Sequence, residues 1–199
     1  MITGVDFSHN NGVPPYQKIA DAGYKFAILK ATEGLTFKDP MFRANLAGFK
    51  AVGIQTGAYH FYVPGDDPTK QALFFLAQLL KTDYPLILAG DFEQTPGWDA
   101  LQNESIGEAL QEFLDTVQTG SGGKPLVYSD AAFIEQYLTT FPMGNYGLWL
   151  AGGKASAQFA NYAILQTEGL VSFMPGLVDT NVFTSDDLSS ILSPVVTRT

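Results

Sequence analysis

Short apolar segments recur along the chain, and amphipathic segments separate most of them. Several apolar segments are continuous rather than alternating, which is typical of parallel strands buried on both faces. The pattern predicts eight strands: Gly4–Ser8, Phe26–Lys30, Ile54–Phe61, Leu86–Glu93, Pro125–Ser129, Leu148–Ala151, Ala163–Thr167 and Leu177–Val182. It also predicts five helices: Pro15–Ala22, Met41–Val52, Pro68–Leu80, Glu104–Thr119 and Ala131–Thr140.

Alternation of strands and helices predicts an α/β fold, and eight strands favour a closed barrel. The chain has 199 residues, however, and a complete eightfold β/α barrel typically needs about 250. The connections 152–162 and 168–176 look too short or too irregular for full crossover helices. We therefore expect one domain over residues 1–199, a TIM-like β/α barrel with about eight strands and fewer than eight helices.

The composition narrows the classes of function. Twenty acidic and 11 basic side chains give a net charge of −9, with an isoelectric point near 4.5. Nucleic acids and anionic membranes attract basic surfaces, so we expect neither as a partner. Cysteine is absent, which excludes disulfides and thiolate chemistry, and two histidines are too few for a His-rich metal site. The sequence therefore predicts no metal and no cofactor.

The N-terminal residues lack the basic start and the apolar stretch of a signal peptide. No apolar run approaches the ~20 residues that a membrane span needs. We therefore expect the protein to be soluble and cytoplasmic as synthesised. If it acts outside the cell, another device must release it.

Carboxylates follow several of the predicted strands, where β/α barrels place their active sites. They are Asp6, Asp91, Glu93 and Asp179. Alternate residues of a strand share a face, so Asp91 and Glu93 should point the same way. Neighbouring carboxylates oppose each other's ionisation, and one of them can then serve as an acid near neutral pH. The alternative is that the pair begins a solvated loop and that Asp6 and Asp179 make turns.

Aromatic side chains at other strand ends could form a trough on which sugar rings stack, although each of them, taken alone, is more often a core residue. They are Tyr59, Phe61, Tyr62, Tyr128 and Trp149. We interpret His60 as a hydrogen-bonded barrel residue and not as a metal ligand, because His9 is the only other histidine in the sequence. For Lys30, a structural salt bridge with Glu33 or a nearby aspartate is the simplest interpretation.

Nine segments in this order resemble glycoside hydrolase family 25, the Chalaropsis-type lysozymes (N-acetylmuramidases). The matching segments are Gly4–His9, Phe26–Gly34, Asp39–Asn45, Gly57–Tyr62, Asp91–Glu93, Pro125–Tyr128, Leu148–Ala151, Leu165–Gln166 and Val178–Phe183. The resemblance implies a flattened β/α barrel with fewer helices than strands. It also implies cleavage of the β-1,4 bond from N-acetylmuramic acid to N-acetylglucosamine in peptidoglycan.

The resemblance also assigns roles to residues. It implies that Glu93 is the general acid/base and that Asp91 orients or stabilises the substrate's N-acetyl group. Asp6 and Asp179 would support this pair on the cleft floor. The residues that match cleft-lining positions are Tyr59, Tyr128, Trp149 and Gln166. A monomeric enzyme acting on peptidoglycan glycan strands is expected, reaching the wall through a holin, a secretion system or phage tail machinery.

The sequence leaves alternatives open both for the chemical route and for the class of function. Substrate-assisted retention through the 2-acetamido oxygen is the favoured route, and direct displacement by Asp91 or inversion by water are the others. A non-catalytic glycan-binding barrel of a phage or secretion assembly is the second functional hypothesis. It would not need both Asp91 and Glu93. A third is a metal-dependent phosphodiesterase, which the scarcity of histidine disfavours.

Overall fold

The computed structural model describes residues 1–80, 86–98, 101, 103–152, 161–167 and 178–193. Its helices are α1 (Tyr16–Asp21), α2 (Phe42–Ala51), α3 (Pro68–Leu79), α4 (Asn103–Ser121) and α5 (Ala131–Tyr137). Its strands are β1 (Ile2–Phe7), β2 (Phe26–Glu33), β3 (Phe37–Lys38), β4 (Gln55–Phe61), β5 (Leu86–Asp91), β6 (Leu126–Asp130), β7 (Gly147–Ala151), β8 (Ile164–Thr167), β9 (Thr180–Phe183) and β10 (Leu192–Ser193). Short 3-10 helices cover His9–Asn11, Met143–Asn145 and Leu188–Ile191.

Eight strands form a closed ring in the order β1, β2, β4, β5, β6, β7, β8 and β9, with β9 pairing back onto β1. The predicted barrel with fewer than eight helices is confirmed. Neighbours in the ring are parallel except at β9, which runs antiparallel to both β1 and β8. The apolar pattern predicts a strand here, but it carries no information about the strand's direction.

The remaining strands lie at the edges of the ring. The two-residue strand β3 pairs with the end of β2, and the equally short β10 pairs with the start of β5. Neither was predicted. The predicted irregular connections 152–162 and 168–176 lie mostly outside the described residues, and so does Leu177, the predicted start of the last strand. No helix in the described ranges is long and apolar enough to cross a membrane.

Two helices begin where an aspartate accepts a hydrogen bond from the first turn, as helix N-caps commonly do. The Asp67 side chain accepts from the backbone N–H of Lys70, and Pro68 occupies the first turn of α3. The Asp130 side chain accepts from the N–H of Phe133 at the start of α5. This cap holds Asp130 at the end of β6, close to the carboxyl ends of the neighbouring strands.

Apolar side chains of each strand divide between the inside of the barrel and the layer beneath the helices. On β2, Phe26 and Ile28 belong to the interior cluster, whereas Ala27 and Leu29 pack in the larger cluster with helical residues. The interior cluster consists of Phe26, Ile28, Ile87, Ala89, Leu126, Trp149, Ile164, Phe183 and Ile191. A Cβ at Gly4 would lie 2.4 Å from the Phe26 ring, so only glycine lets this ring fill the barrel.

Candidate active site

Most of the predicted site residues line one cavity of about 220 Å³. All four predicted carboxylates contribute to its wall. The complete lining is Asp6, Ser8, Asn10, Asn11, Tyr59, Asp91, Glu93, Tyr128, Trp149, Gln166 and Asp179. The barrel therefore brings together side chains from both ends of the sequence at the carboxyl ends of its parallel strands.

The backbone around Asp91 is held by its neighbours on both sides. Asp91 ends β5, and its carbonyl accepts from the N–H of Tyr62 at 3.0 Å. The N–H of Phe92 donates to the Tyr128 carbonyl at 2.9 Å. The Ser129 hydroxyl donates to the Phe92 carbonyl at 2.7 Å. These bonds fix the direction in which the chain leaves the strand.

Glu93 follows directly, and Trp98 fixes its backbone. The indole N–H of Trp98 donates to the Glu93 carbonyl at 2.7 Å. Trp98 is fully buried, and its ring stacks on Tyr62 at 5.6 Å between centroids. Phe92 lies in the core between the two carboxylates, so Asp91 and Glu93 both face the cavity as the alternation predicts.

A β-bulge in β2 places the side chains of Lys30 and Glu33 on the same face of the strand. Residues three apart on a regular strand point to opposite faces. The register of β2 against β4 shifts between Lys30 and Thr32, and this shift allows Lys30 and Glu33 to face each other. The Lys30 ammonium lies 2.6 Å from a carboxylate oxygen of Glu33, which confirms the predicted salt bridge.

Asp6 lies at the centre of a network of buried amides and aromatic groups. Its Oδ2 accepts from Gln166 Nε2 and from Asn181 Nδ2, each at 2.9 Å. The Tyr128 hydroxyl donates to Gln166 Oε1 at 2.7 Å. The Trp149 indole N–H donates to Asn181 Oδ1 at 2.8 Å. Asp6 therefore links β1 to β8 and β9 across the closure of the barrel.

Burial controls the charge state of the carboxyl groups. It raises the pKa of Asp6 to about 7, and the negative charges of Asp179 and Glu93 add to this effect. Burial also raises the pKa of Asp91 well above its ordinary value, with Glu93 adding to the rise and Lys30 opposing it. The pKa of Glu93 is raised as well, again mainly by burial. The cluster therefore retains protons at pH values where exposed carboxyls are ionised.

One oxygen of Asp91 has no internal partner. Its Oδ1 is buried and accepts no hydrogen bond within the described part of the chain, although Asp91 lines the cavity. A buried polar atom without a partner is costly to the fold. The arrangement therefore offers a ready acceptor for a donor group of a bound molecule.

The predicted aromatic trough is present in part. Tyr59, Tyr128 and Trp149 line the cavity, and the Tyr128 and Trp149 rings meet edge to face at 4.6 Å between centroids. Phe61 is not among the lining side chains, because the Lys30 ammonium lies over its ring at 4.6 Å. Tyr62 is 2% exposed and belongs to the core.

The sequence did not predict the polar residues of the loop after β1. Ser8, Asn10 and Asn11 line the cavity. The loop is tied down because Asp39 Oδ2 accepts from the backbone N–H of His9 at 2.9 Å and lies 2.8 Å from its Nδ1. No local pattern distinguishes these side chains from an ordinary turn.

Two further residues of the site were also missed. Asn181 and Trp98 are both fully buried and hold cavity residues in place without lining the cavity. In a sequence, a tryptophan among apolar residues indicates a core position, and a lone asparagine indicates a turn. The one available signal for Asn181 was its position two residues after Asp179, on the same face of a strand.

The arrangement suits proton transfer between buried carboxyls and a bound molecule. Asp91 and Glu93 are two residues apart, hydrogen bonds hold the backbone at each of them, and both have raised pKa values. Within the described residues, no three His, Asp or Glu side chains are grouped so as to hold a metal ion.

Comparison with known proteins identifies the family. The sequence model of Glycosyl hydrolases family 25 matches residues 5–166, which include Asp6, Asp91, Glu93 and Gln166. The chain belongs to glycosyl hydrolase family 25. The family match ends before Asp179 and Asn181, whose places in the site rest on the geometry alone.

Individual proteins are similar to this sequence over most of its length. The uncharacterized protein YegX of Escherichia coli strain K12 is 31% identical over 157 residues, covering 75% of this chain and 56% of YegX. The N,O-diacetylmuramidase of Arthroderma benhamiae is 33% identical over 134 residues, covering 64% of this chain and 57% of that protein. This chain thus spans little more than half the length of these two relatives. A bacterial lysozyme structure from Streptomyces coelicolor has a TM-score of 0.81 at 25% identity, with 92% of each chain covered.

Proposed function

We propose that this family 25 protein is a muramidase that hydrolyses the β-1,4 bond from N-acetylmuramic acid to N-acetylglucosamine in peptidoglycan. The observation that carries the proposal is the pair formed by the buried Asp91 and the half-buried Glu93 at the end of β5, in a cavity lined by aromatic side chains. Glycoside hydrolysis needs a carboxylic acid for the leaving oxygen and a second group that stabilises positive charge at the anomeric carbon.

In this mechanism Glu93 protonates the glycosidic oxygen as the bond to the anomeric carbon breaks. The 2-acetamido oxygen of the substrate attacks the same carbon and forms a cyclic oxazolinium ion. Asp91 orients the acetamido group by accepting its N–H at the unpartnered Oδ1 and balances the positive charge. Glu93, now a carboxylate, takes a proton from the water that opens the ring, which restores the acid and retains the configuration.

Supporting residues complete the assignment. Asp6 and Asp179 hold the electrostatic environment of the pair, and Tyr59, Tyr128, Trp149 and Gln166 line the path of the glycan. Phe61 contributes indirectly, by supporting the Lys30 ammonium. The substrate places the site of action in the cell wall, so the protein acts after release from the cytoplasm.

The decisive experiment identifies the new chain ends after digestion of purified peptidoglycan. The products are reduced with borohydride and analysed by mass spectrometry, and muramitol ends are expected. Glucosaminitol ends would instead make the protein a glucosaminidase. Binding to the wall without any new ends would favour the glycan-binding barrel and overturn the proposal.

Substitution of the acid tests its assignment. Glu93→Gln should keep the fold and lose roughly a hundred- to ten-thousandfold in kcat, the usual contribution of a general acid. Glu108→Gln is the matched control, because Glu108 is an exposed glutamate on α4. Comparable turnover by folded Glu93→Gln and wild-type proteins would reject Glu93 as the acid.

A further inference from the structure

The cavity has room for one sugar and not for a length of glycan. Its volume is about 220 Å³, below the roughly 300–1,000 Å³ of typical small-molecule sites. Asp91 Oδ1, which is buried and has no partner among the described residues, belongs to this cavity and indicates a ligand there. Under the proposed function, the enclosed sugar is the N-acetylmuramic acid unit whose acetamido group Asp91 binds.

The substituent that distinguishes muramic acid lies next to that acetamido group. C3 of the sugar carries the lactyl ether and is bonded to C2, which carries the acetamido nitrogen. In intact peptidoglycan the lactyl carbonyl forms an amide with the stem peptide and has no charge. Where the stem peptide has been removed, the lactyl group ends in a carboxylate. The two forms of the substrate therefore differ by one negative charge close to Asp91.

The cavity offers such a charge no cationic partner. Four acidic side chains line it, and no lysine, arginine or histidine of the described residues does. The acidic residues are Asp6, Asp91, Glu93 and Asp179. The Lys30 ammonium lies outside the lining, 2.6 Å from a Glu33 oxygen and over the Phe61 ring. An enclosed lactyl carboxylate would lose hydration without gaining an ion pair, and ionised neighbours would repel it.

The loop after β1 contributes neutral donors to the same cavity. Asn11 Oδ1 accepts from the backbone N–H of Ser8 at 2.8 Å, and Ser8 Oγ accepts from the N–H of Asn10 at 3.2 Å. The acceptor atom of Asn11 is thus engaged within the loop, and its Nδ2 is left as a donor on a side chain that lines the cavity. A neutral donor suits the carbonyl oxygen of a lactyl amide and cannot neutralise a carboxylate.

We propose that the enzyme selects muramic acid units whose lactyl group is amide-linked to a stem peptide and discriminates against units with a free lactyl carboxylate. The inference rests on the proposed function, because it assumes that muramic acid is the enclosed sugar. The class of reaction that hydrolyses the lactyl amide consumes the preferred substrate. The muramidase therefore acts on the wall before such an amidase does.

The test compares uncrosslinked glycan strands in three forms. The first carries stem peptides, the second has lost them to an amidase and ends in lactyl carboxylates, and the third has these carboxylates coupled to methylamine. We expect kcat/KM to be roughly tenfold to a hundredfold lower for the carboxylate form than for the peptide form. The methylamide form should return to within about threefold of the peptide form, because it lacks the charge.

The outcomes separate the two proposals. Equal hydrolysis of the three forms would overturn the selection and leave the muramidase assignment intact. A methylamide form that is as slow as the carboxylate form would also overturn it, because the peptide and not the charge would then be recognised. Hydrolysis of none of the forms would overturn the proposed function and this selection with it.

A substitution on the protein side tests the same charge. Asn11→Asp keeps an acceptor for the Ser8 N–H and adds a negative charge to the cavity. It should widen the ratio of kcat/KM between the peptide and carboxylate forms by about threefold or more. Asn145→Asp is the matched control, because Asn145 is exposed and outside the cavity, and it should leave the ratio unchanged. An unchanged ratio in Asn11→Asp, or an equal change in both variants, would contradict the proposal.

Discussion

At Asp6, burial holds the pKa of the carboxyl at about 7, against an ordinary value of 3.8. The folded protein therefore binds this proton more tightly than the unfolded chain does. Such a group stabilises the fold at acidic pH, and the contribution is lost as the pH rises through 7. The hydrogen bonds that Asn181 and Gln166 donate lower the pKa of Asp6, so they reduce this loss of stability but do not cancel it.

We predict that Asp6→Asn stabilises the protein at alkaline pH, since an amide oxygen can accept from the same two donors without carrying a charge. Between pH 4 and pH 8 its advantage over wild type should grow by up to about 4 kcal/mol. Urea unfolding at both pH values measures this difference. Asp21→Asn, which removes an exposed carboxylate, should follow the wild-type profile. An advantage for Asp6→Asn that is the same at both pH values would contradict the explanation.

The acidic half of the site could be predicted from single residues, whereas the amide half could not. Asp91 and Glu93 stand out because charge at the end of an apolar strand is costly unless it is used. Asn181 gives no such signal, because its two partners, Asp6 and Trp149, are 175 and 32 residues away along the chain. Which buried amide meets which carboxylate depends on the register of β1 against β9, and the sequence pattern does not define that register.

Among the elements, the segment that follows β5 carries the most consequence for chemistry. It leaves the strand at Asp91 and places Glu93 over the cavity, and the Trp98 indole holds it there through the Glu93 carbonyl. Catalysis depends steeply on such placement, because an error of about 1 Å can cost a hundredfold in rate.

Trp98→Phe should preserve most of the ring packing and remove this one hydrogen bond. We expect kcat to fall roughly ten- to hundredfold with a smaller change in KM. The free energy of unfolding should fall by about 1–3 kcal/mol, because the buried carbonyl loses its partner. Steady-state kinetics and urea unfolding check the two effects.

Tyr146→Phe is the control for this substitution, since it removes the bond from the Tyr146 hydroxyl to Asp115, which lies outside the cavity. It should lower stability without changing kcat. If Trp98→Phe behaved in the same way, the indole would have no part in placing Glu93.

Elements with a strong pattern were the ones that could be predicted. The five helices and eight barrel strands lie within a few residues of their predicted positions wherever the structure describes them, because each buries a periodic or continuous apolar face. β3 and β10 have two residues each, too few to show a period. The bulge of β2 was also unpredictable, because it is defined by pairing with β4.

At the scale of the whole molecule, pH acts on stability in two opposite directions. The buried carboxyls favour acidic conditions, whereas His60 disfavours them. His60 is buried between Thr32 and Gln71, and burial lowers its pKa from 6.5 to about 4. Because Gln71 Oε1 already accepts from the N–H of Val63, it is the acceptor for the His60 Nε2–H as well. The neutral imidazole thus fits its environment.

A neutral His60 contributes stability that is complete above pH 6.5 and is lost as the pH falls towards 4. We predict a loss of about 3 kcal/mol from this residue over that interval. In His60→Gln, which keeps a donor for Gln71, this part of the pH dependence should vanish. Urea unfolding of both proteins at pH 4, 5.5 and 7 measures the contribution of His60 to the free energy of unfolding. Parallel pH profiles of the two proteins would refute the prediction.

The closure of the barrel, where β9 pairs with β1, has one more consequence, which concerns protein synthesis. Gln166 and Asn181, which donate to Asp6, are translated 160 and 175 residues after it. A nascent chain that already contains Asp91 and Glu93 still lacks the two amides that bind Asp6. Under the proposed function, the active site is therefore complete only when the last barrel strand docks, and shorter nascent chains should not hydrolyse a glycan.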